Sequence, residues 1–149
     1  MDKIMKLQEE ITNYLGIMSL PVTFEDLGID DSRLYLENEY IAINIKHKNN
    51  FLECAKCLTH ENRHVFQVIY CNIYDNARSA RWKQLLSTQI NSTNLNGNYD
   101  KYLSQELEID AFAFTRYYLK KFHNINVENK IKGFDFLLDN YIVEHSDIL

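Results

Sequence analysis

Proline and glycine are scarce in this sequence, with one proline and four glycines among 149 residues. So little of either, together with ten tyrosines, argues against a disordered or low-complexity chain. The three cysteines are an odd number, which fits a reducing compartment better than a disulfide framework. No run of about 18 apolar residues occurs, and residues 1–6 do not resemble a signal peptide. We therefore expect a cytoplasmic protein without a membrane partner.

Positive charge is also sparse, because 16 Lys and Arg residues stand against 21 Asp and Glu residues, for a net charge of −5. The pair Lys120-Lys121 is too short to form a basic stripe, so we expect no nucleic-acid partner. The length and the 46% hydrophobic fraction are those of one globular domain with its own core. We therefore expect residues 1–149 to form a single domain.

Hydrophobic periodicity predicts both helices and strands. Ile4, Leu7 and Ile11 recur at helical spacing, and Gly16 marks a stop. Residues 21–24 predict a short strand, and residues 34–36 and 40–45 predict a hairpin. Further helical patterns cover residues 51–72, 77–86, 102–122 and 131–141, and residues 91–98 read as a loop. These elements predict an α+β fold, a small antiparallel or mixed sheet packed on helices 51–72 and 102–122.

The helix predicted over residues 51–72 contains the string His60-Glu61-x-x-His64. Four residues make about one helical turn, so both imidazoles can reach a single metal ion. Zinc suits this donor pair, since catalytic zinc sites take three protein ligands and a water. Around the helix we predict an apolar arc and an opposite polar side, with both histidines at the border. The arc contains Phe51, Cys54, Leu58, Val65 and Ile69, and the polar side Lys56, Arg63 and Gln67.

A third ligand is expected from the helix predicted over residues 102–122, which carries Glu106, Glu108 and Asp110. Glu108 falls inside a broad apolar arc, whereas Glu106 and Asp110 fall on the polar side. A carboxylate within an apolar arc is unfavourable unless it meets a cation. Glu108 is therefore the predicted ligand, and Asp110 is expected to hydrogen-bond to nearby groups.

Two motifs follow one another along the chain: His60-Glu61-x-x-His64 and then Glu108-x-Asp110-Ala111-x-Ala113-Phe114. Over roughly residues 40–122 this order resembles the gluzincin metallopeptidases. It is most similar to the small intracellular ImmA/IrrE-type and minigluzincin-like forms often found in phage and mobile elements. The chain departs from the family at Arg63, where a small residue often stands. The second motif is only partly matched, which leaves Glu106 open as an alternative ligand.

The resemblance implies a zinc-dependent peptidase whose core is a strand, the HExxH helix and a glutamate-bearing helix. Zn²⁺ would be bound by His60, His64 and Glu108, with Glu61 as general base on the zinc-bound water. The substrate would be a peptide or protein, held in extended form by residues 40–45 as an edge strand.

Other interpretations remain open at this stage. The two histidines of the motif also fit a surface pair, and Glu108 a carboxylate bonded at the edge of the core. Cys54 and Cys57 fit packing residues better than zinc or redox ligands, and His123 is a candidate oxyanion stabiliser. The alternative function is a non-enzymatic regulator of the same fold that binds a partner protein, and a third is a helical module without metal. An intact Glu61 argues against the regulator, because a structural metal site does not need it.

Overall fold

The computed structural model describes residues 2–88 and 105–149. The elements in chain order are α1 (Asp2–Leu15), β1 (Val22–Glu25), β2 (Ser32–Tyr35), β3 (Tyr40–Asn44), a 3₁₀ turn (Ile45–His47), α2 (Phe51–Ile73), α3 (Ala77–Thr88), α4 (Glu106–His123) and α5 (Phe134–Glu144). Five α-helices and a three-stranded mixed sheet in these residues confirm the predicted α+β class. The loop predicted at residues 91–98 lies outside the described residues. No described helix combines the length and apolarity needed to cross a bilayer.

The chain divides into two compact units, Met1–Phe66 and Gln67–Leu149. The division falls within α2, so this helix contributes residues to both units. The single domain expected over residues 1–149 stays a prediction.

In the first unit the sheet has the order β1-β3-β2. Strand β1 runs parallel to β3, with Val22 opposite Ile41, and β2 runs antiparallel to β3, with Leu34 opposite Ile41. The antiparallel pair confirms the predicted hairpin. The expectation that residues 40–45 form an edge strand is wrong, because β3 pairs on both sides. Its run of Ile41, Ala42 and Ile43, all fully buried, is typical of a central strand covered on both faces.

Strand β2 begins at Ser32, two residues earlier than the strand predicted over residues 34–36. The buried Asn44 at the end of β3 explains this start. Its side-chain amide donates to the carbonyl oxygens of Gly28, at 3.1 Å, and Asp30, at 2.8 Å, while its backbone N–H donates to Asp31 at 2.8 Å. The loop before β2 is thereby tied to the end of the central strand, and Ser32 enters the sheet.

The buried face of α1 and the start of α2 both agree with the sequence patterns. Ile4, Leu7 and Ile11 of α1 are buried in one stripe. Asn50 caps α2, since the backbone N–H of Glu53 donates to its side-chain oxygen at 3.3 Å.

In the second unit the backbone before two helices sets where they start. Gln105 is extended (φ −67°, ψ 133°), so α4 begins at Glu106, and residues 102–104 of the predicted helix lie outside the described residues. Gly133 has a φ of 80°, which stops α5 from extending back to residue 131. Helices α4 and α5 pack through a cluster of buried side chains, namely Ala113, Phe134, Leu138 and Tyr141. Trp82 of α3 is buried, with its ring centre 5.3 Å from that of Tyr70.

Candidate metal centre

The two histidines of the motif lie one turn apart on α2, and their rings converge. The Nε2 atoms of His60 and His64 are 3.1 Å apart, and the ring planes are inclined by 83°. Two nitrogen ligands of a tetrahedral zinc ion, each at 2.0–2.1 Å, stand about 3.3 Å apart. The imidazole pair is thus already close to the spacing that one shared metal ion requires.

Glu108 completes a group of three metal-ligating side chains. His60, His64 and Glu108 each offer one ligand atom, and these atoms all lie within 4.8 Å of one another. His60 is buried, His64 is half-buried, and Glu108 is only 2% exposed. The group can therefore hold a metal ion. Two imidazoles with one carboxylate form a donor set found in catalytic zinc sites with an open fourth position.

The alternative ligand Glu106 is engaged elsewhere in the second unit. Its Oε2 accepts a hydrogen bond from Nε of Arg81 at 3.2 Å, and 36% of its side chain is exposed. The two glutamates, one buried and one ion-paired near the surface, thus differ as their positions on the helical wheel predict.

Asp110 follows Glu108 by two residues and is fully buried. It accepts hydrogen bonds from Nε2 of Gln67 at 2.7 Å and from the hydroxyl of Tyr141 at 3.0 Å. The same Gln67 nitrogen donates to the carbonyl of Leu107 at 3.0 Å. The prediction that Gln67 and Asp110 lie on polar faces is wrong, because both are buried and satisfy each other. This network holds the first turn of α4, the turn that carries Glu108.

Glu61 lies between the two histidines in sequence and is 6% exposed. Its Oε1 accepts a hydrogen bond of 2.6 Å from the hydroxyl of Ser32 on β2. A buried carboxylate needs such a donor, and the helical wheel gave no indication of which residue supplies it. The predicted strands end at residue 24 and resume at residue 34, which leaves Ser32 outside them, and no local pattern links residues 29 positions apart.

Arg63 stands within the motif where the prediction placed a polar, solvent-facing side. That prediction is wrong, because Arg63 is 0% exposed. Its guanidinium carbon lies 4.6 Å from the centre of the Phe66 ring, a cation–π contact. The middle of α2 is covered on this side too, so amphipathicity does not describe this part of the helix.

The cysteine pair of α2 is buried. The thiol of Cys54 donates to the carbonyl of His47 at 3.2 Å, and that of Cys57 donates to the carbonyl of Asp31 at 3.6 Å. Burial raises the pKa of Cys57 to about 12, far above its ordinary value of 9.0. The burial of both side chains agrees with the predicted packing role.

Two other histidines have surroundings of their own. Nε2 of His47 lies 2.8 Å from Oδ1 of Asp31. His123 ends α4, where its ring centre lies 5.8 Å from that of Tyr118. Its expected role as an oxyanion stabiliser stays a prediction.

A cavity of about 510 Å³ opens in the second unit beside α4 and α5. Its cation Arg116 donates through Nε to Oδ1 of Asp139 at 2.7 Å. Lys121 donates to the hydroxyl of Tyr117 at 2.6 Å. Arg116 and Lys121 are thus both engaged by side chains of the cavity wall.

Comparisons of the chain with models of protein families, with curated proteins and with solved structures find no match. The resemblance to gluzincins thus rests on the two motifs, and the metal-ligating group is the structural observation that bears on it.

Proposed function

We propose that this protein is a zinc-dependent metallopeptidase of the gluzincin type that acts in the cytoplasm. His60, His64 and Glu108 hold the zinc ion, and Glu61 is the general base. The substrate is a peptide or protein, which is hydrolysed at a peptide bond.

The observation that carries the proposal is the convergence of three zinc-type ligands next to a buried glutamate. The ligand atoms of His60, His64 and Glu108 lie within 4.8 Å of one another. Glu61 follows His60 directly and is 6% exposed. A metal site with a purely structural role needs no such carboxylate, whereas hydrolysis needs a base beside the metal.

Bound zinc supplies Lewis-acid chemistry, polarising the peptide carbonyl and lowering the pKa of water to about 7. Glu61 takes a proton from the attacking water as the oxygen bonds to the carbonyl carbon. It then delivers that proton to the departing nitrogen as the C–N bond breaks. The carboxylate ends each cycle ionised, ready to accept another proton.

An extended substrate can pair only with an edge strand of a sheet. Because β3 is central, a strand other than β3 must pair with the substrate. Strand β2 is an edge strand of the described sheet. It also carries Ser32, whose hydroxyl contacts Glu61. We therefore assign substrate pairing to β2, where backbone hydrogen bonds bring a peptide alongside the general base.

The test begins with elemental analysis of protein purified without chelator or metal-affinity resin, with one zinc per chain expected. The zinc-loaded protein and its Glu61→Gln variant are then incubated with tryptic peptides of a cell lysate. New cleavages are identified by mass spectrometry. The substitution removes the base but keeps side-chain size, so cleavage should fall by at least about a hundredfold with zinc content unchanged.

Glu53→Gln is the matched control, because Glu53 lies on the same helix and pairs with Lys56 at 3.0 Å. This variant should cleave as the wild type does. The peptidase proposal is overturned if the wild-type protein, fully loaded with zinc, cleaves no peptide that the Glu61→Gln variant does not also cleave. The alternative function, a regulator that binds a partner protein, would then remain.

A further inference from the structure

We infer that Ser32 is a positioning residue that fixes the carboxylate of Glu61 through Oε1 and leaves Oε2 to handle the proton. The inference rests on the proposed function, since a positioned base has meaning only where a proton is transferred. It adds a residue from β2 to a site otherwise built from helices.

The contact has the geometry of a strong hydrogen bond. The Ser32 hydroxyl lies 2.6 Å from Oε1 of Glu61, within the short range of O–H···O⁻ bonds to ionised acceptors. The donor is itself held by the sheet, where Ser32 stands opposite Ile43 of the central strand. Glu61 is therefore anchored to a fixed backbone and not to a flexible loop.

Cys57 lies one helical turn before Glu61 and borders the same serine. Its thiol donates to the carbonyl of Asp31, the residue directly before Ser32. Burial raises the pKa of this thiol to about 12, although a hydrogen bond with the Ser32 side chain acts in the opposite direction. The thiol beside the Ser32 hydroxyl is thus neutral and adds no negative charge next to Glu61. The Ser32 hydroxyl donates its own proton to Oε1 of Glu61.

The advantage of this bond lies in orientation. The bond selects one rotamer of a side chain with three rotatable bonds, and small displacements of a catalytic group carry large rate costs. Loss of Ser32 should therefore lower kcat and leave KM unchanged.

The same sheet contains a matched pair with no place in the site. On β1 the hydroxyl of Thr23 donates to Oε1 of Glu25 at 2.7 Å. Like the bond between Ser32 and Glu61, it joins a hydroxyl to a glutamate carboxylate, and the two distances differ by only about 0.1 Å. Thr23→Val removes it with little change in volume, and so measures what a hydroxyl–carboxylate bond of this sheet contributes by itself.

The first experiment compares Ser32→Ala, Ser32→Thr and Thr23→Val in the zinc-loaded full chain, with the best-cleaved tryptic peptide as substrate. For Ser32→Ala we expect kcat to fall about ten- to a hundredfold with KM and zinc content unchanged. Ser32→Thr keeps the hydroxyl, and a strand accepts threonine, so most of the rate should return. Thr23→Val should cleave as the wild type does.

A second readout needs neither metal nor substrate. Urea unfolding midpoints are measured for Ser32→Ala, for Glu61→Ala and for the double variant. Because the two side chains share one bond, Ser32→Ala should shift the midpoint less in the Glu61→Ala background than in the wild type. Strictly additive shifts would overturn the contact.

The outcomes separate this inference from the proposed function. An active wild type together with an equally active Ser32→Ala variant overturns the positioning role and leaves the peptidase standing. A fall in kcat that Ser32→Thr does not restore also overturns it. Absence of any cleavage by the zinc-loaded wild type overturns both.

Discussion

Helices α1 and α2 both bury polar side chains, but the chemistry of those side chains differs. In α1 the buried polar residues are Gln8 and Thr12, both neutral. The Thr12 hydroxyl donates to the carbonyl of Gln8 at 2.9 Å, and Gln8 donates to the carbonyl of Leu20 at 3.2 Å. Such neutral groups are satisfied by backbone carbonyls and neighbouring side-chain amides, so their burial serves packing and nothing further is needed to explain it.

In α2 the buried polar residues include ionisable groups, namely His60, Glu61 and Arg63. Burying groups that carry or can carry charge costs far more than burying amides and hydroxyls, unless partners compensate. These three fall within four successive positions of one helix. The contrast teaches that the burial of ionisable groups, and not burial of polar groups in general, distinguishes the proposed site from the packing elsewhere.

The largest expected effect is the loss of the metal from α2. Replacing both His60 and His64 by Ala should abolish stoichiometric zinc binding, because two of three ligands are removed. His47→Ala is the control, since that histidine pairs with Asp31 and lies outside the ligating group found among the described residues. Mass spectrometry of the native protein or elemental analysis counts the metal. If the double variant still bound one zinc ion per chain, the buried ionisable groups of α2 would not mark a metal site, and α2 would not differ from α1 in this respect.

A smaller effect is expected from the third ligand. Glu108→Ala should weaken zinc binding at least about ten- to a hundredfold. Glu106→Ala should change it less than about twofold, because Glu106 pairs with Arg81. A competition titration against a chromogenic chelator measures both. The reverse order of the two variants would transfer the ligand role to Glu106.

Helix α1 should respond in stability and not in metal binding. Gln8 exchanges two hydrogen bonds with the amide of Asn62, at 2.6 and 3.3 Å. Gln8→Met keeps the volume but removes both, which should lower the free energy of unfolding by about 1–3 kcal/mol. The exposed neighbour Glu9→Met should cost less than about 0.5 kcal/mol. Urea denaturation measures the difference, and unchanged zinc content is expected in both variants.

The smallest effect concerns pH and the thiol of Cys57. Its pKa rises from 9.0 to about 12 in the folded protein. Below pH 9 the thiol is protonated in both states and contributes no pH dependence. As the pH rises above 9 the unfolded chain releases the proton and the folded chain keeps it, so stability falls by up to about 1.4 kcal/mol per pH unit.

Cys57→Ala should remove this alkaline loss. Urea midpoints of wild type and variant, measured at pH 8, 9 and 10, isolate the contribution of the one thiol, since every other titrating group is shared. Parallel pH profiles for the two proteins would contradict the buried, protonated thiol.

Features that depend on neighbouring residues were predictable. The four-residue spacing of His60 and His64 requires only that the segment be helical, because the helix itself brings the rings to one side. The buried stripe of Ile4, Leu7 and Ile11 follows from the same periodicity. The choice of Glu108 over Glu106 used an angular argument of the same kind, and the structure places the first buried and the second half-exposed.

Features that depend on distant partners were missed. The burial of Arg63 contradicts its position on the helical wheel. The wheel states which residues share a side, and not what packs against that side. Strand β3 was expected at an edge, whereas it also pairs with β1, which comes from earlier in the chain. Ser32 was missed for the same reason, since its contact with Glu61 depends on where β2 lies.

The sequence by itself determined the secondary structure class, the helix that carries the histidine pair and the candidate ligands. These follow from short-range periodicity, which the backbone geometry of helices and strands imposes on any chain. Only the tertiary structure decided that β3 is central, that Arg63 and Asp110 are buried, and that Ser32 donates to Glu61. Each of these depends on how whole elements pack against one another, for which the local pattern of residues carries no signal.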